Sequence, residues 1–275
     1  MLYICATPIG NLEDITLRAL RILREVDAIY AEDTRHTLGL LNHYEIKKPL
    51  ISCHEHNEAH RAEEIAARLE SGEQIAYVSD AGTPLISDPG ARIVSECVKR
   101  GLEFTVLPGA CAATTGLILS GLSSDAFYFA GFLPRTGSAR KQKIDETARI
   151  PATVILYESP NRVGATLKEL AACMGERDCA LVREMTKLHE EAIRGTLSEL
   201  ADRCLETPPR GECVIVIAGA SEQHNESPAS PEQIAQAIEQ KRALGMKPRA
   251  IAKEIAKEFG LTANEAYEIV IHNDL

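Results

Sequence analysis

The stretch Leu2-Tyr3-Ile4-Cys5-Ala6-Thr7-Pro8-Ile9-Gly10 sets the pattern that decides the fold, because a short apolar run is followed at once by a turn with proline and glycine. Four more short apolar runs follow, and a helix-length segment separates each from the next. This alternation predicts a largely parallel sheet with helices on both faces. The fourth helix is expected to start with Asp88 as its N-cap and Pro89 at its first position, and to end at Gly101. The predicted strands are residues 2–6, 28–31, 50–53, 75–79 and 104–107.

A second α/β region is expected after residues 116–124, which are rich in small and turn-forming residues. Its strands have fewer helices between them, which favours a mixed sheet. We therefore predict an N-terminal α/β domain at residues 1–118 and a second α/β domain at 119–220. The strands predicted for the second domain are residues 127–131, 153–158, 180–185, 190–195 and 213–218.

The last part of the chain differs in composition. Residues 221–232 are polar, rich in Pro and Ser and without periodicity, which is typical of a linker. Residues 233–275 are predicted to form a small helical tail, with Pro248 opening a helix that repeats apolar residues at Ile251, Ile255 and Phe259. The spacing resembles a helix-turn-helix. Any helical hairpin has the same outline, so contact between the tail and nucleic acid stays open.

The charge balance limits the classes of partner. A net charge of -10 argues against a protein that coats nucleic acid nonspecifically, since phosphate neutralisation needs a basic face. One local basic segment is present at residues 133–143, which contain no acid. It is either a nucleic-acid contact or simply a solvated loop and helix face. Its basic residues are Arg135, Arg140, Lys141 and Lys143.

Cysteine spacing and hydropathy point to a cytoplasmic protein. The eight cysteines are scattered, with no CxxC pair and no histidines at zinc-finger spacing, so we expect buried thiols in a reducing compartment and no metal. The apolar run at the N-terminus is too short for a signal peptide, and no run is long enough for a transmembrane helix.

Four segments place glycine or proline directly after a predicted strand: residues 7–12, 79–84, 108–112 and 157–160. In a parallel sheet these ends meet at one edge, where free amides and glycine backbone allow close contact with a ligand. The dinucleotide-binding GxGxxG and the P-loop GxxxxGK[ST] are both absent, so a phosphate-free ligand held mainly by the main chain is favoured. For any single loop, ordinary turn chemistry is the alternative.

The residues of these loops resemble a known family. TPIGNLEDITLRAL, EDTRHTLGLL, VSDAGTPLISDPG, LPGACA, GFLPR, YESPNR and REMTKLHEE occur in this order. They are similar to the tetrapyrrole methylase-like family of S-adenosylmethionine-dependent methyltransferases. Within it they most resemble the branch that methylates the ribose 2'-oxygen of a cytidine in small-subunit ribosomal RNA. The resemblance covers about residues 2 to 220, and EDTR, YESPNR and REMTK are its specific signatures.

The resemblance implies a two-domain α/β fold, a homodimer, and S-adenosylmethionine bound between the domains. Tetrapyrrole-making relatives typically have Gly-Asp-Pro where this chain has Gly82-Thr83-Pro84, and this departure favours the RNA branch. Carried over position by position, the cofactor-binding residues are Pro8, Gly10, Asp80, Gly82, Thr83, Ile86, Cys111, Ala112 and Tyr157.

The implied reaction needs a base and residues that bind RNA. A ribose hydroxyl is a weak acid, so a base or strong desolvation is expected at the moment of attack. The catalytic candidates are His54, Glu158 and Lys187, and none is decisive. Guanidinium groups match phosphate geometry, although Arg35 and Arg162 could instead form ion pairs at a domain interface. The RNA-binding candidates are Arg35, Arg135, Arg140, Lys141 and Arg162.

Three functions are compatible with the sequence. The first is a methyltransferase that acts on 16S ribosomal RNA in the assembled small subunit. The second is a corrin or porphyrin methyltransferase, which would share the fold and the cofactor. Its substrates are multiply carboxylated, so a strongly basic cleft would be expected. The third is a noncatalytic RNA-binding or assembly factor that keeps the fold, and the intact cofactor loops argue against it.

Overall fold

A computed structural model describes residues 1–220, 231–243, 246–259 and 263–272. Residues Met1–Ala220 form one compact unit, and Ser221–Leu275 form a second. The predicted linker at 221–232 lies outside the described residues up to residue 230. Pro231–Ala243 form a helix.

The first sheet has five parallel strands in the order β3-β2-β4-β1-β5. Two apolar clusters cover its two faces, one containing residues of α1 and α2 and the other residues of α3 and α4. The predicted parallel sheet with helices on both faces is therefore confirmed, and each strand lies within one residue of its predicted bounds. The elements are β1 (Leu2–Cys5), a 3-10 helix (Leu12–Asp14), α1 (Leu17–Glu25), β2 (Ala28–Ala31), α2 (Thr34–His43), β3 (Leu50–Ser52), α3 (Glu58–Glu70), β4 (Ile75–Val78), α4 (Ala91–Arg100) and β5 (Phe104–Leu107).

The start predicted for α4 is wrong, although its end at Gly101 is confirmed. Gly90, not Asp88, is the N-cap residue, and it has no side chain to accept from the free amides of the first turn. The buried Glu58 of α3 does this instead, because its Oε1 accepts from the amides of Gly90 at 3.0 Å and Arg92 at 2.8 Å. A cap supplied by another helix leaves no local signal in the sequence.

The second sheet is mixed, in the order β6-β7-β10-β8-β9, with β6 and β7 parallel and the other pairs antiparallel. This confirms the predicted mixed sheet. One face packs against α6, α7 and α8, and the other against α5. The elements are α5 (Ala112–Ser120), β6 (Phe127–Phe132), α6 (Gly137–Ala148), β7 (Thr153–Glu158), α7 (Val163–Met174), β8 (Asp178–Arg183), β9 (Glu191–Thr196), α8 (Leu197–Glu206) and β10 (Cys213–Ile217).

Helix α5 joins the two sheets along the chain. It follows the last strand of the first sheet, but its buried residues Ala113 and Leu117 pack with Ile155, Val182 and Val214 of the second. The predicted domain boundary between residues 118 and 119 falls inside this helix. The division into domains 1–118 and 119–220 stays a prediction.

The described residues of the C-terminal unit form three helices, α9 (Pro231–Ala243), α10 (Pro248–Phe259) and α11 (Ala263–His272). Ile251 and Ile255 are fully buried, and they pack with Ile238, Ala266 and Val270. This confirms the apolar repeat of the predicted tail, because these side chains form a small core shared by all three helices.

The structure adds three general facts about the chain. All eight cysteines are free thiols, and six of them are buried. Within the described ranges, no group of three or more His, Cys, Asp or Glu side chains is placed to hold a metal ion. None of the described helices has the length and apolar character needed to cross a bilayer.

Candidate active site

Three of the loops that follow strands of the first sheet are hydrogen-bonded to one another. The amide of Thr7 donates to the carbonyl of Gly82, and the amide of Gly82 donates back, both at 2.9 Å. The Thr7 hydroxyl donates to the Ser79 carbonyl at 3.3 Å, and the Thr83 hydroxyl donates to the Ala110 carbonyl at 2.9 Å. The loops after β1, β4 and β5 therefore form one continuous surface, and Thr83 helps to build it.

Two glycines allow the backbone to come close at this surface. Gly82 has φ +80°, and a Cβ there would lie 3.2 Å from the Ile9 side chain. At Gly10 a Cβ would lie 2.7 Å from the Met185 carbonyl and 2.8 Å from the Thr186 hydroxyl. Gly10 is thus pressed against the loop that follows β8 in the second sheet.

A cavity of about 460 Å³ opens beside these loops. Seven of the nine predicted cofactor residues line it. The other two, Pro8 and Gly10, are not among the described residues that line the cavity, although Ile9, which lies between them in the sequence, is. The predicted residues in the lining are Asp80, Gly82, Thr83, Ile86, Cys111, Ala112 and Tyr157.

One wall of the cavity is acidic, with Glu32, Asp80 and Asp88 in the lining. Burial raises the pKa of Glu32 to about 7, and the charges of Asp80 and Asp88 act in the same direction. Burial also raises the pKa of Asp88 to about 6, although a hydrogen bond with Ser79 opposes the shift. Sequence reasoning missed Glu32 and Asp88. Glu32 begins the EDTR motif directly after β2, and that position was the available signal.

The opposite wall comes from the second sheet and is more apolar. Phe132 ends β6, Tyr157 lies on β7, and Met185 follows β8, together with residues 211–214 at the start of β10. Apart from Tyr157, these residues were not predicted. They are far from the loops in sequence, and only the packing of the two sheets brings them to the cavity.

The three catalytic candidates are separated in the structure. Glu158 lines the cavity, and its buried carboxylate accepts from the Thr166 hydroxyl at 2.7 Å and the Ser159 amide at 2.9 Å. Among the described lining residues, neither His54 nor Lys187 is present. The Lys187 ammonium instead pairs with Glu184 at 3.0 Å and with Glu212, which does line the cavity, at 3.1 Å.

His54 lies on the loop after β3. Its amide donates to the Asn57 Oδ1 at 2.8 Å, and its ring meets that of His56 edge-on at 5.8 Å. The Nδ1 atom is buried and has no hydrogen-bond partner among the described residues. The structure therefore places His54 outside the cavity that holds the predicted cofactor residues.

A groove of about 690 Å³ continues from the cavity, and the two share Phe132, Glu158 and Ser159 in their linings. Three of the predicted RNA-binding residues, Arg135, Arg140 and Arg162, also line this groove. Lys141 lies beside it, in a neighbouring depression of about 670 Å³ that also includes Arg135.

Of the predicted RNA-binding arginines, Arg140 lines the groove but is buried, and Arg35 is not among the groove's described lining residues. Arg140 is only 7% exposed, and its guanidinium donates to Glu169, to Thr166 and to the Pro134 carbonyl at 2.8 to 3.1 Å. These bonds tie α6 to α7, so the placement of Arg140 does not support an RNA contact. Arg35 is paired with Asp33 on the surface of α2, with 90% of its side chain exposed, and it is not among the described lining residues of the groove.

The comparison with protein families decides the membership of the chain. The family model described as Tetrapyrrole (Corrin/Porphyrin) Methylases matches residues 1–201. The chain belongs to the tetrapyrrole methylase family. Its parallel and mixed five-stranded sheets agree with the fold predicted from that resemblance.

Relatives within the family match over nearly the full length of the chain. A protein of Halalkalibacterium halodurans is 43% identical over 98% of this chain and 93% of its own length. A protein of Haemophilus influenzae is 44% identical over 98% and 95%. One of Thermotoga maritima is 46% identical over 79% of this chain and 98% of its own length. All three are named ribosomal RNA small subunit methyltransferase I.

Solved structures share the fold at low identity. The uroporphyrin-III C-methyl transferase of Thermus thermophilus, complexed with S-adenyl homocysteine, has a TM-score of 0.56 and 19% identity over 79% of this chain and 96% of that one. A diphthine synthase has a TM-score of 0.63 and 16% identity over 79% of this chain and 89% of that one. At this identity the similarity concerns the fold alone.

Proposed function

We propose that the protein transfers a methyl group from S-adenosylmethionine to the ribose 2'-oxygen of a cytidine in 16S ribosomal RNA. The observation that carries the proposal is the 43 to 44% identity, over 98% of the chain, to relatives named ribosomal RNA small subunit methyltransferase I. The cavity supports it, because seven cofactor residues carried over from the family motifs meet there.

The cavity suits S-adenosylmethionine, which supplies an activated methyl group on a cationic sulfur. Its volume of about 460 Å³ falls in the usual range for small-molecule sites. Glu32, Asp80 and Asp88 provide negative charge opposite an apolar wall, which favours a ligand that carries both cationic and apolar groups. Gly82 leaves the main chain accessible at its edge.

The contribution of the protein to the reaction is chiefly positioning. Holding two reactants at contact distance can lower a barrier by about 7 to 11 kcal/mol in favourable cases. Of the catalytic candidates His54, Glu158 and Lys187, Glu158 has the best support, because it lines both the cavity and the adjoining groove. Its position at their junction is where an attacking hydroxyl would have to lie.

We further propose that the substrate is the assembled small subunit, that the enzyme acts as a homodimer, and that it works in the cytoplasm. Arg135, Lys141 and Arg162 would contact RNA phosphates around the groove, and Arg35 would do so from α2. This local basic surface reconciles RNA binding with a net charge of -10.

A corrin or porphyrin methyltransferase is less well supported. Its multiply carboxylated substrate would face Glu32, Asp80 and Asp88, whose charges repel it. The tetrapyrrole enzymes among the solved structures are 20% identical or less. Methyl transfer to a precorrin without transfer to RNA would promote this alternative, and calorimetry without S-adenosylmethionine binding would favour a noncatalytic assembly factor.

The deciding experiment maps 2'-O-methylation on 16S ribosomal RNA from cells with and without the gene. Purified enzyme is then incubated with labelled S-adenosylmethionine and small subunits from the deleted strain. We expect one cytidine to lose its methyl group on deletion and to regain it in vitro. Unchanged methylation in the deleted strain, together with no incorporation in vitro, would contradict the proposal.

A matched pair of variants links the activity to the cavity. Gly82 and Gly72 both have positive φ, but a Cβ at Gly82 meets Ile9 beside the cavity, whereas one at Gly72 meets nothing within 4 Å. Gly82→Ala should therefore lose S-adenosylmethionine binding and methylation. Gly72→Ala should introduce a similar backbone strain but keep both S-adenosylmethionine binding and methylation.

A further inference from the structure

Phe132 is an exposed aromatic side chain where the cavity meets the groove. The chain has only five phenylalanines and no tryptophan, yet this phenylalanine is 57% exposed. It ends β6 and lines both the cavity and the groove that continues from it.

A β-bulge turns Phe132 toward the cavity. Phe129 and Phe132 are three residues apart, so on a regular strand their side chains would point to opposite faces. The pairing of β6 with β7 shifts between Phe129 and Gly131, so that Phe129 lies opposite Ile155 and Phe132 opposite Tyr157. Ile155 and Tyr157 share one face, and the bulge puts both phenylalanines on it. Gly131, with φ +65°, supplies the conformation that the bulge needs.

Neighbouring aromatic rings hold Phe132 in place. Its ring meets that of Tyr157 edge-on, with centroids 5.6 Å apart and planes at 68°. Tyr157 in turn meets Phe129 at 4.9 Å and 70°. Because these contacts already restrict the Phe132 side chain, it loses little further conformational entropy when a ligand stacks on it.

Positive charge lies on the groove side of Phe132. Arg135 is exposed, three residues further along the chain. Arg162 has 31% of its side chain exposed and pairs with the buried Glu158 at 3.4 Å, and both arginines line the groove together with Phe132. An aromatic ring flanked by guanidinium groups is the combination that binds single-stranded nucleic acid, in which a base stacks and the phosphates pair.

We propose that Phe132 is the stacking platform for the target nucleotide. The cytidine leaves its RNA helix, its base lies on the Phe132 ring, and its phosphates face Arg135 and Arg162. The ribose then points from the groove into the cavity, toward the methyl donor. This inference rests on the proposed function and adds the part of the protein that selects and places the nucleotide.

Three substitutions at Phe132 test the inference, with Phe127→Ala as the matched control. Phe127 begins the same strand and is 47% exposed, but it is not among the described residues that line the cavity or the groove. Stacking of a base is worth about 1 to 3 kcal/mol by alanine substitution, so Phe132→Ala should lower kcat/KM for small subunits roughly 5- to 150-fold. Phe132→Tyr should restore most of the activity, and Phe132→Leu, which lacks a π-face, should not.

The affinity for S-adenosylmethionine, measured by calorimetry on each variant, completes the test. We expect it to fall much less than kcat/KM does, even though Phe132 also lines the donor cavity, and measurable donor binding shows that the variants are folded. Equal kcat/KM for Phe132→Ala and Phe127→Ala would overturn the inference, as would a loss confined to donor binding or full activity in Phe132→Leu. If wild-type protein binds the donor but methylates no subunits, the proposed function fails, and this inference fails with it.

Discussion

Gly10 shows how a single hydrogen atom in place of a side chain allows two parts of the fold to meet. An added Cβ would lie 2.7 Å from a backbone carbonyl, which cannot move as a flexible side chain can. Gly10→Ala should therefore destabilise the protein by about 1 to 3 kcal/mol, as overpacking does in other cores. Thermal unfolding measures the change.

Gly39→Ala is the control for Gly10→Ala. Gly39 lies within α2, and a Cβ there meets nothing within 4 Å. Alanine in a helix is favoured over glycine by about 0.8 to 1 kcal/mol, so this variant should be slightly more stable than the wild type. Equal effects of the two substitutions would show that the contact with the loop after β8 is not tight.

Glu32 predicts a pH dependence of stability. Its pKa rises from an ordinary value of 4.5 to about 7 in the folded protein, chiefly because of burial. At a pH between these two pKa values, Glu32 is still protonated in the folded state but already ionised in the unfolded state. The stability of the folded state therefore falls as the pH rises through this range. Glu32→Gln removes the titration. The melting temperature of this variant minus that of the wild type should therefore increase from pH 5 to pH 8.

The control for Glu32→Gln is Glu13→Gln, on the exposed 3-10 helix. Its melting temperature should follow that of the wild type across the same pH range. A difference between Glu32→Gln and the wild type that stays constant from pH 5 to pH 8 would contradict the raised pKa.

At the scale of elements, helix α8 begins with a complete capping box. The Glu199 amide donates to the Thr196 hydroxyl at 3.3 Å, and the Thr196 amide donates to the Glu199 carboxylate at 2.8 Å. Thr196→Ala should lower the free energy of unfolding by about 0.5 to 2 kcal/mol. Chemical denaturation measures this change.

Thr136 is the natural comparison, because it is also a threonine at an N-cap, but its side chain makes no cap hydrogen bond to α6. Thr136→Ala should change the free energy of unfolding by no more than about 0.5 kcal/mol. If both variants lose the same stability, the threonine conformation and not the capping box is responsible.

The elements also show where prediction from sequence succeeded. Strands of the first sheet could be placed closely, because they are short apolar runs bounded by glycine and proline. The start of α4 could not, because Glu58 on another helix caps it. The bulge at Gly131 was equally hidden, since it depends on the pairing of β6 with β7.

At the scale of the whole molecule, the unit of residues 1–220 contains all the described residues that line the cavity and the groove. The Thermotoga maritima relative matches over 98% of its own length while covering 79% of this chain. We therefore expect a chain that ends at Ala220 to fold and to bind S-adenosylmethionine with unchanged affinity. Calorimetry on the truncated and full-length proteins tests this, and loss of binding on truncation would show that the C-terminal helices are needed for the cavity.

The sequence by itself determined the two-sheet architecture and the family, and it named seven residues that line the cavity. These features depend on local patterns, namely apolar periodicity and the glycine and proline residues of the strand-end loops. Only the tertiary structure decided which charged residues are exposed at the groove. Arg140 and Arg135 belong to one basic segment and both line the groove, yet Arg140 is buried and paired with Glu169, whereas Arg135 is exposed. Glu32, Asp88 and Phe132 meet around one cavity because two sheets pack there, and such convergence depends on contacts between residues far apart in the chain.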